Sequence, residues 1–147
     1  MNDMLGKRID RFTIERFIGQ GGLGEVYFGR DESGQGVAIK IIHPHIASQE
    51  TFRQQFDFHL GRAAALDDPH IMRILAHGME DRTAFVVSEY AAGGSLREFI
   101  KLTERNPNAI GIPAVIEVGR QIALGLAHAH AQGVWHRALK PEDVLFR

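Results

Sequence analysis

The sequence predicts an α+β fold in two parts, a five-stranded antiparallel sheet with one helix followed by a mostly helical half. Three observations predict it. Runs rich in Val, Ile and Phe, separated by glycine-bearing turns, fill most of the chain up to Ser88. One helical period interrupts them between Ser48 and Leu66. The longest helical pattern, residues 113–131, lies beyond the break at Gly93-Gly94-Ser95. Strands first and helices after is an α+β order.

Phe12 and Ile14 open the first strand, which runs through Phe17-Ile18 to Gly19. Val26-Tyr27-Phe28 is the second, and residues 37–42 the third, across a turn at residues 32–36. Pro44 ends that strand. Ser48 with Glu50 supplies a helix start, and Phe52, Phe56, His59, Leu60 and Ala63 recur at helical spacing until Asp67-Asp68-Pro69. Two more strands are expected around residues 71–76 and 84–88, joined by a polar turn at residues 79–82. Ser95 caps a short helix through Ile100, and Asn106-Pro107-Asn108 is loop. On the last helix, Val115, Val118, Ile122, Leu126 and Ala129 form one stripe, which Ile116, Ala123 and Ala127 widen to nearly half the circumference. A surface helix needs an apolar arc of only about 100°. This one is patterned for cover on more than one flank, so self-association or a protein partner at residues 113–131 is expected. The organisation is an N-terminal extension (1–11), a sheet part (12–88), a hinge (89–95) and a helical part (96–147).

Bulk properties remove several function classes. The 147 residues are 44% hydrophobic and 24% charged with a net charge of -1, so no basic surface for nucleic acid or membrane is expected. Cysteine is absent, which excludes disulfides, thiolate catalysis and Cys-based metal sites. Neither a signal peptide nor a membrane span of roughly 18–20 apolar residues is present. A cytoplasmic location is expected.

Gly19-Gln20-Gly21-Gly22-Leu23-Gly24-Glu25-Val26 contains G-x-G-x-x-G. Such glycines let a loop fold close over phosphates, its N–H groups facing the oxygens. A dinucleotide-binding turn has the same spacing but opens a helix, whereas Val26-Tyr27-Phe28 is strand-like. A glycine-rich hairpin without a ligand remains the plain alternative. Lys40, late in the next strand, is by itself an ordinary surface charge.

Together, however, G-x-G-x-x-G-x-V and Val37-Ala38-Ile39-Lys40 make a compound signature. With Ser88-Glu89-Tyr90, Gly93-Gly94-Ser95-Leu96 and the run from His136 to Leu145, the chain resembles the N-terminal half of a protein kinase domain. It is most similar in style to bacterial kinases of the eukaryotic Ser/Thr type, and Lys140 is the Ser/Thr-type residue. The resemblance implies a kinase-like fold with a truncated helical lobe. It also implies that Gly19, Gly21 and Gly24 cover ATP phosphates, that Val26 and Ala38 roof the adenine, and that Lys40 holds the α- and β-phosphates. By the same resemblance, the main chain of Glu89 and Ala91 meets the adenine edge, Ser88 is the gatekeeper and Leu145 the floor. Lys140 lies near the transferring phosphate and Asp143 at a Mg²⁺-ligand position.

Four departures set the expectation for activity. Ala138 stands where the family has its catalytic aspartate, which orients and deprotonates the substrate hydroxyl. His59 stands where the family has the helix glutamate that pairs with the strand lysine, and Asp57 faces the wrong way round the helix. Asp143 replaces the metal-binding asparagine, a mild change for a hard cation. The chain as given ends at Arg147, before the D-F-G segment that the family places next. The expected function is a pseudokinase-type module with at most weak ATP binding or a protein partner and no phosphate transfer. The alternatives are a genuine Ser/Thr kinase completed by a missing or separate C-lobe, and a non-functional remnant. Of the remaining residues, His59 reads as a partly buried helix histidine, His43 and His45 as loop, His128 and His130 as no chelating pair, and Trp135 as core.

Overall fold

Alternation along the strands decides which side chains enter the core. In the computed structural model, which describes residues 4–106 and 110–147, Val37 and Ile39 are fully buried while their neighbours Ala38 and Lys40 point to the opposite face. Pro107 and Asn108 of the expected loop lie outside the described residues. Elements in chain order are β1 (Arg8–Ile9), β2 (Phe12–Gln20), β3 (Gly24–Arg30), β4 (Gly36–Ile42), α1 (Pro44–Ala47), α2 (Glu50–Ala64), β5 (Ile74–Glu80), β6 (Thr83–Glu89), α3 (Leu96–Arg105) and α4 (Ile112–Ala131), then a 3₁₀ turn at Pro141–Asp143. Two units result: Met1–Ala65 with Met72–Tyr90, and Leu66–Ile71 with Ala91–Arg147.

The first unit is an antiparallel sheet in the order β1-β2-β3-β4-β6-β5. One face buries Ile9, Phe12, Ile14, Tyr27, Val37, Ile39, Phe85 and Val87. The other face packs Ile42, Ala84 and Val86 against Ala47, Phe52, Phe56 and Leu60 of the two helices. The five expected strands are therefore joined by a sixth. It comes from the residues read as an N-terminal extension, because Ile9 is only 3% exposed and pairs with Phe12. A two-residue strand has no periodicity by which to recognise it.

Three local expectations are corrected. Ser48 starts no helix: it is the C-cap of α1, and α2 begins after Gln49 with no side-chain cap. Its end is Ala64, not Leu66. The strand expected at residues 71–76 begins only at Ile74, because the Asp68 carboxylate accepts from His70 N (2.8 Å) and Ile71 N returns to Asp68 O (3.0 Å), turning the chain first. That strand then continues through Met79 and Glu80. The hairpin needs only Asp81 and Arg82, both left-handed at φ 46° and 67°, the two-residue turn that matches strand twist.

In the second unit Ser95 caps α3 as expected, with a full capping box to Glu98, and α3 runs on to Arg105 rather than stopping at Ile100. The two Ser95 donors hold the Glu98 carboxyl below its ordinary range. Gly93 and Gly94 pair with Phe146 in both directions (2.8 and 2.9 Å), and Ser95 bridges Leu145. The covered side of α4 is formed by Val118, Ile122, Leu126, Gly125 and Ala129. Gly125 lies so close to the 66–71 segment that a β-carbon would sit 3.0 Å from His70 O. Asp68 fastens the same segment, receiving His70 Nδ1 (3.1 Å) and facing His128 Nδ1 (3.6 Å). Val115, assigned to the covered stripe by periodicity, is exposed, as are Ile112 (76%) and Ile116 (65%).

Candidate functional site

The glycine motif is a hairpin tip. Gly19 and Gln20 pair with Val26 and Glu25, and Gly21 and Gly24 close the turn through N–H···O bonds of 2.9 and 3.3 Å. At the tip, the N–H groups of Gly22 and Leu23 have no protein partner among the described residues. The three motif glycines have different reasons to be glycine. A β-carbon on Gly24 would lie 2.0 Å from Ile41 O, so the β3–β4 ladder itself forbids a side chain there. Gly19 and Gly21 meet nothing within 4 Å and need no positive φ. Folding does not require them, which leaves close approach of a ligand as a reason for them.

Residues opposite each other in a ladder share a face. Val26 is opposite Lys40, Lys40 opposite Val86, Phe28 opposite Ala38, and Ala38 opposite Ser88. The register thus gathers Val26, Ala38, Lys40 and Ser88 on the face that carries Val86 and α2. Lys40 is exposed and makes no ion pair among the described residues. On α2, His59 is also exposed, not partly buried, and its ring meets only the edge of Phe58 (5.4 Å). Asp57 faces His77 Nδ1 at 3.7 Å rather than Lys40. Glu25, next to the motif, is engaged by the Tyr27 hydroxyl, and burial together with that carboxylate pushes the phenol up to about 12.

At the end of β6, Glu89 N donates to Arg73 O (3.1 Å) and the Glu89 carboxylate accepts from Arg73 N (2.8 Å). No sequence pattern signals this engagement, which joins residues 16 apart. In the second unit, the Ala91 main chain has no hydrogen-bond partner among the described residues, so its N–H and C=O are open to a ligand edge. Leu145 lies on the bridge to Ser95, with its side chain exposed.

The segment from His136 to Asp143 holds the other residues of interest. Arg137 is left-handed at φ 66°, and Ala138 N closes back on His136 O at 2.8 Å. A three-residue turn of that hand in a non-glycine residue is strained, and strain of this kind concentrates at functional loops. Ala138 ends the turn with a methyl group. Asp143 and Lys140 exchange main-chain and carboxylate contacts (Asp143 N to Lys140 O 2.9 Å, Lys140 N to Asp143 Oδ2 3.2 Å), and His136 Nε2 is 3.9 Å from the same oxygen. Arg97 holds the neighbouring Glu142 carboxyl below its usual range through a 2.8 Å contact. Trp135, read as core, is instead 59% exposed and stacks on His130 at 4.2 Å.

A Mg²⁺ ion would ask more of this donor set than it offers. The ion takes six oxygens, usually one or two carboxylates with water and phosphate. Asp143 offers one carboxylate with an oxygen already engaged, and no group of three His, Asp or Glu side chains suited to a metal exists among the described residues. The residues present do not make a Mg²⁺ site by themselves. His43 and His45 stack on each other (5.5 Å) without a third ligand. No helix among the described residues is long and apolar enough to cross a membrane.

Comparison with known proteins agrees with this geometry. Residues 12–147 match the family model described as "Protein kinase domain". The chain is 35% identical over 144 residues to the serine/threonine-protein kinase PrkC of Bacillus subtilis, covering 97% of this chain and 22% of that protein. It is 35% identical over 143 residues to PknD of Mycobacterium tuberculosis, covering 96% and 21%. Among solved structures it superposes on the Mycobacterium tuberculosis PknI kinase domain with a TM-score of 0.82 at 26% identity, covering 95% of this chain and 56% of that one. The chain therefore spans about a fifth of these curated relatives and little more than half of a solved kinase domain.

The differing roles of the glycines predict a contrast. Gly24→Ala forces apart the β3–β4 ladder and lowers stability by about 3 kcal/mol, near the top of the single-substitution range, whereas Gly21→Ala changes it by less than about 0.5 kcal/mol. Urea unfolding of both variants checks this, and equal losses contradict it.

Proposed function

The chain belongs to the protein kinase domain family, and from that premise we propose that these 147 residues form a pseudokinase-type module that binds ATP weakly and transfers no phosphate. The observation that carries the reading is Lys40. It stands on the proposed nucleotide face beside Val26 and Ala38, yet no carboxylate anchors it among the described residues. In protein kinases the strand lysine works as one half of an ion pair with a helix glutamate. Here His59 takes the glutamate's place and is turned to solvent.

Binding rests on groups that survive. Gly19 and Gly21 leave space at the hairpin, the Gly22 and Leu23 amides are available to phosphate oxygens, and the Ala91 main chain is available to the adenine edge. Val26 and Ala38 supply apolar contact on the first unit. Transfer fails for lack of charge chemistry. Ala138 has no atom to accept the proton of a substrate hydroxyl, a loss worth about 10²–10⁴ in rate. Of the two loop carboxylates, Glu142 is held by Arg97 and Asp143 already has one oxygen engaged by Lys140 N, so Mg²⁺ adds little to binding. Within these 147 residues there is no Asp-Phe-Gly. The ATP pool is cytoplasmic, and that is the location proposed.

The exposed flank of α4 favours a second reading alongside the first. Ile112, Val115 and Ile116 are apolar side chains open to solvent, of the kind that further helical chain covers. This chain covers only 56% of a solved kinase domain, and the further polypeptide of such a domain is the occupant we assign to this flank. On this reading the chain is part of a Ser/Thr protein kinase, completed by a further C-lobe segment.

Two measurements follow. The purified chain with radiolabelled ATP and either Mg²⁺ or Mn²⁺ incorporates no label into itself or a generic Ser/Thr substrate, and Ala138→Asp alone does not restore it. Incorporation that Lys40→Ala abolishes contradicts the proposal. Sedimentation velocity of the chain shows association that Ile116→Glu abolishes; a monomer unaffected by that change removes the support for the second reading.

A further inference from the structure

His43 follows β4 and touches the glycine hairpin twice. Its N–H donates to Leu23 O at 2.9 Å, and its ring Nε2 lies 3.3 Å from Gly21 O. These two carbonyls flank Gly22, so one residue grips both shoulders of the tip. The ring is half-buried and stacked on His45 at 5.5 Å with planes 16° apart, which limits its rotation. Gly21 O is an acceptor, so Nε2 must carry the proton; both the neutral Nε2–H tautomer and the imidazolium supply it.

The consequence follows from peptide geometry. A trans peptide unit holds its C=O and N–H pointing in opposite directions. With Gly21 C=O turned to His43, the Gly22 N–H of that same unit points away from His43, and it has no protein partner among the described residues. His43 thereby aims a free amide outward from the tip. Gly21 and Gly22 have no side chain to fix this orientation, and a β-carbon on either would meet nothing within 4 Å, so the restraint comes from hydrogen bonds to Gly21 O: the long turn bond from Gly24 N (3.3 Å) and the histidine contact that adds to it.

We propose that His43 is a positioning residue for phosphate recognition, fixing the Gly21–Gly22 peptide so that the Gly22 amide faces the phosphates of a nucleoside triphosphate. This rests on the reading of the hairpin as a nucleotide loop. It assigns to a residue beyond β4 part of the ordering that the unpaired Lys40 does not give.

The test has two arms on the full chain. In the first, NMR measures amide exchange at Gly21 and Gly24 without nucleotide. His43→Ala speeds both about five- to tenfold, the protection of one hydrogen bond, while His43→Gln, whose side-chain amide reaches the same carbonyl, keeps them slow. Unchanged exchange at Val37 and Ile39 shows that the sheet is intact. In the second arm, His43→Ala lowers affinity for ATP by a similar factor and leaves affinity for adenosine unchanged, because adenosine carries no phosphate. Unchanged exchange at Gly21 and Gly24 in His43→Ala overturns the restraint, and equal losses for ATP and adenosine overturn its role towards phosphate. Absence of ATP binding by the unaltered chain overturns the nucleotide reading itself and with it the phosphate role, while the exchange arm still decides the restraint.

Discussion

At Gly24 a β-carbon would lie 2.0 Å from the carbonyl oxygen of Ile41, and the whole arrangement of the first unit depends on that contact remaining open. It lets β3 lie flush on β4 from Gly24↔Ile42 to Arg30↔Gly36. The period of two then does the rest: it sends Tyr27, Val37 and Ile39 into the core and turns Val26, Ala38 and Lys40 to the other face. A slip of one residue would exchange the two sets. The side chains of the proposed nucleotide surface are therefore set on one face by the same register that buries the core.

Persistence and loss divide along that line. What sheet packing fixes is intact: the hairpin, the small residue Ala38, the lysine position. On the proposed reading, what depends on charge chemistry from elsewhere is missing, with His59 on α2 and Ala138 after the strained Arg137. The turn at Arg137 keeps a conformation that costs energy, although the residue that follows it has no group to present.

The central strands were legible because alternation and glycine turns coincide from Gly19 to Ile42, and α4 because twenty residues of helical period leave no ambiguity. The boundaries that escaped have local causes. The turn built by the Asp68 carboxylate delays β5, and β1 is a two-residue strand drawn in by the burial of Ile9. Among candidate site residues, the family resemblance singles out Lys40, Ala138 and Asp143 but says nothing of exposure. Periodicity cannot tell that His59 and Val115 face solvent, and a tryptophan's size says nothing of the His130 ring on which Trp135 stacks in the open. The reach of His43 back to Gly21 spans 22 residues of sequence and joins two segments, so no local pattern reveals it.

The central claim is that a nucleotide-type surface survives here without its ionic anchors. Calorimetric titration of the chain with ATP, in the presence and absence of Mg²⁺, tests it most directly. The account predicts weak binding of nearly the same affinity in both conditions, since Lys40 has no paired carboxylate among the described residues and the loop carboxylates Glu142 and Asp143 are engaged by Arg97 and Lys140. Tight binding that depends strongly on Mg²⁺ would contradict it.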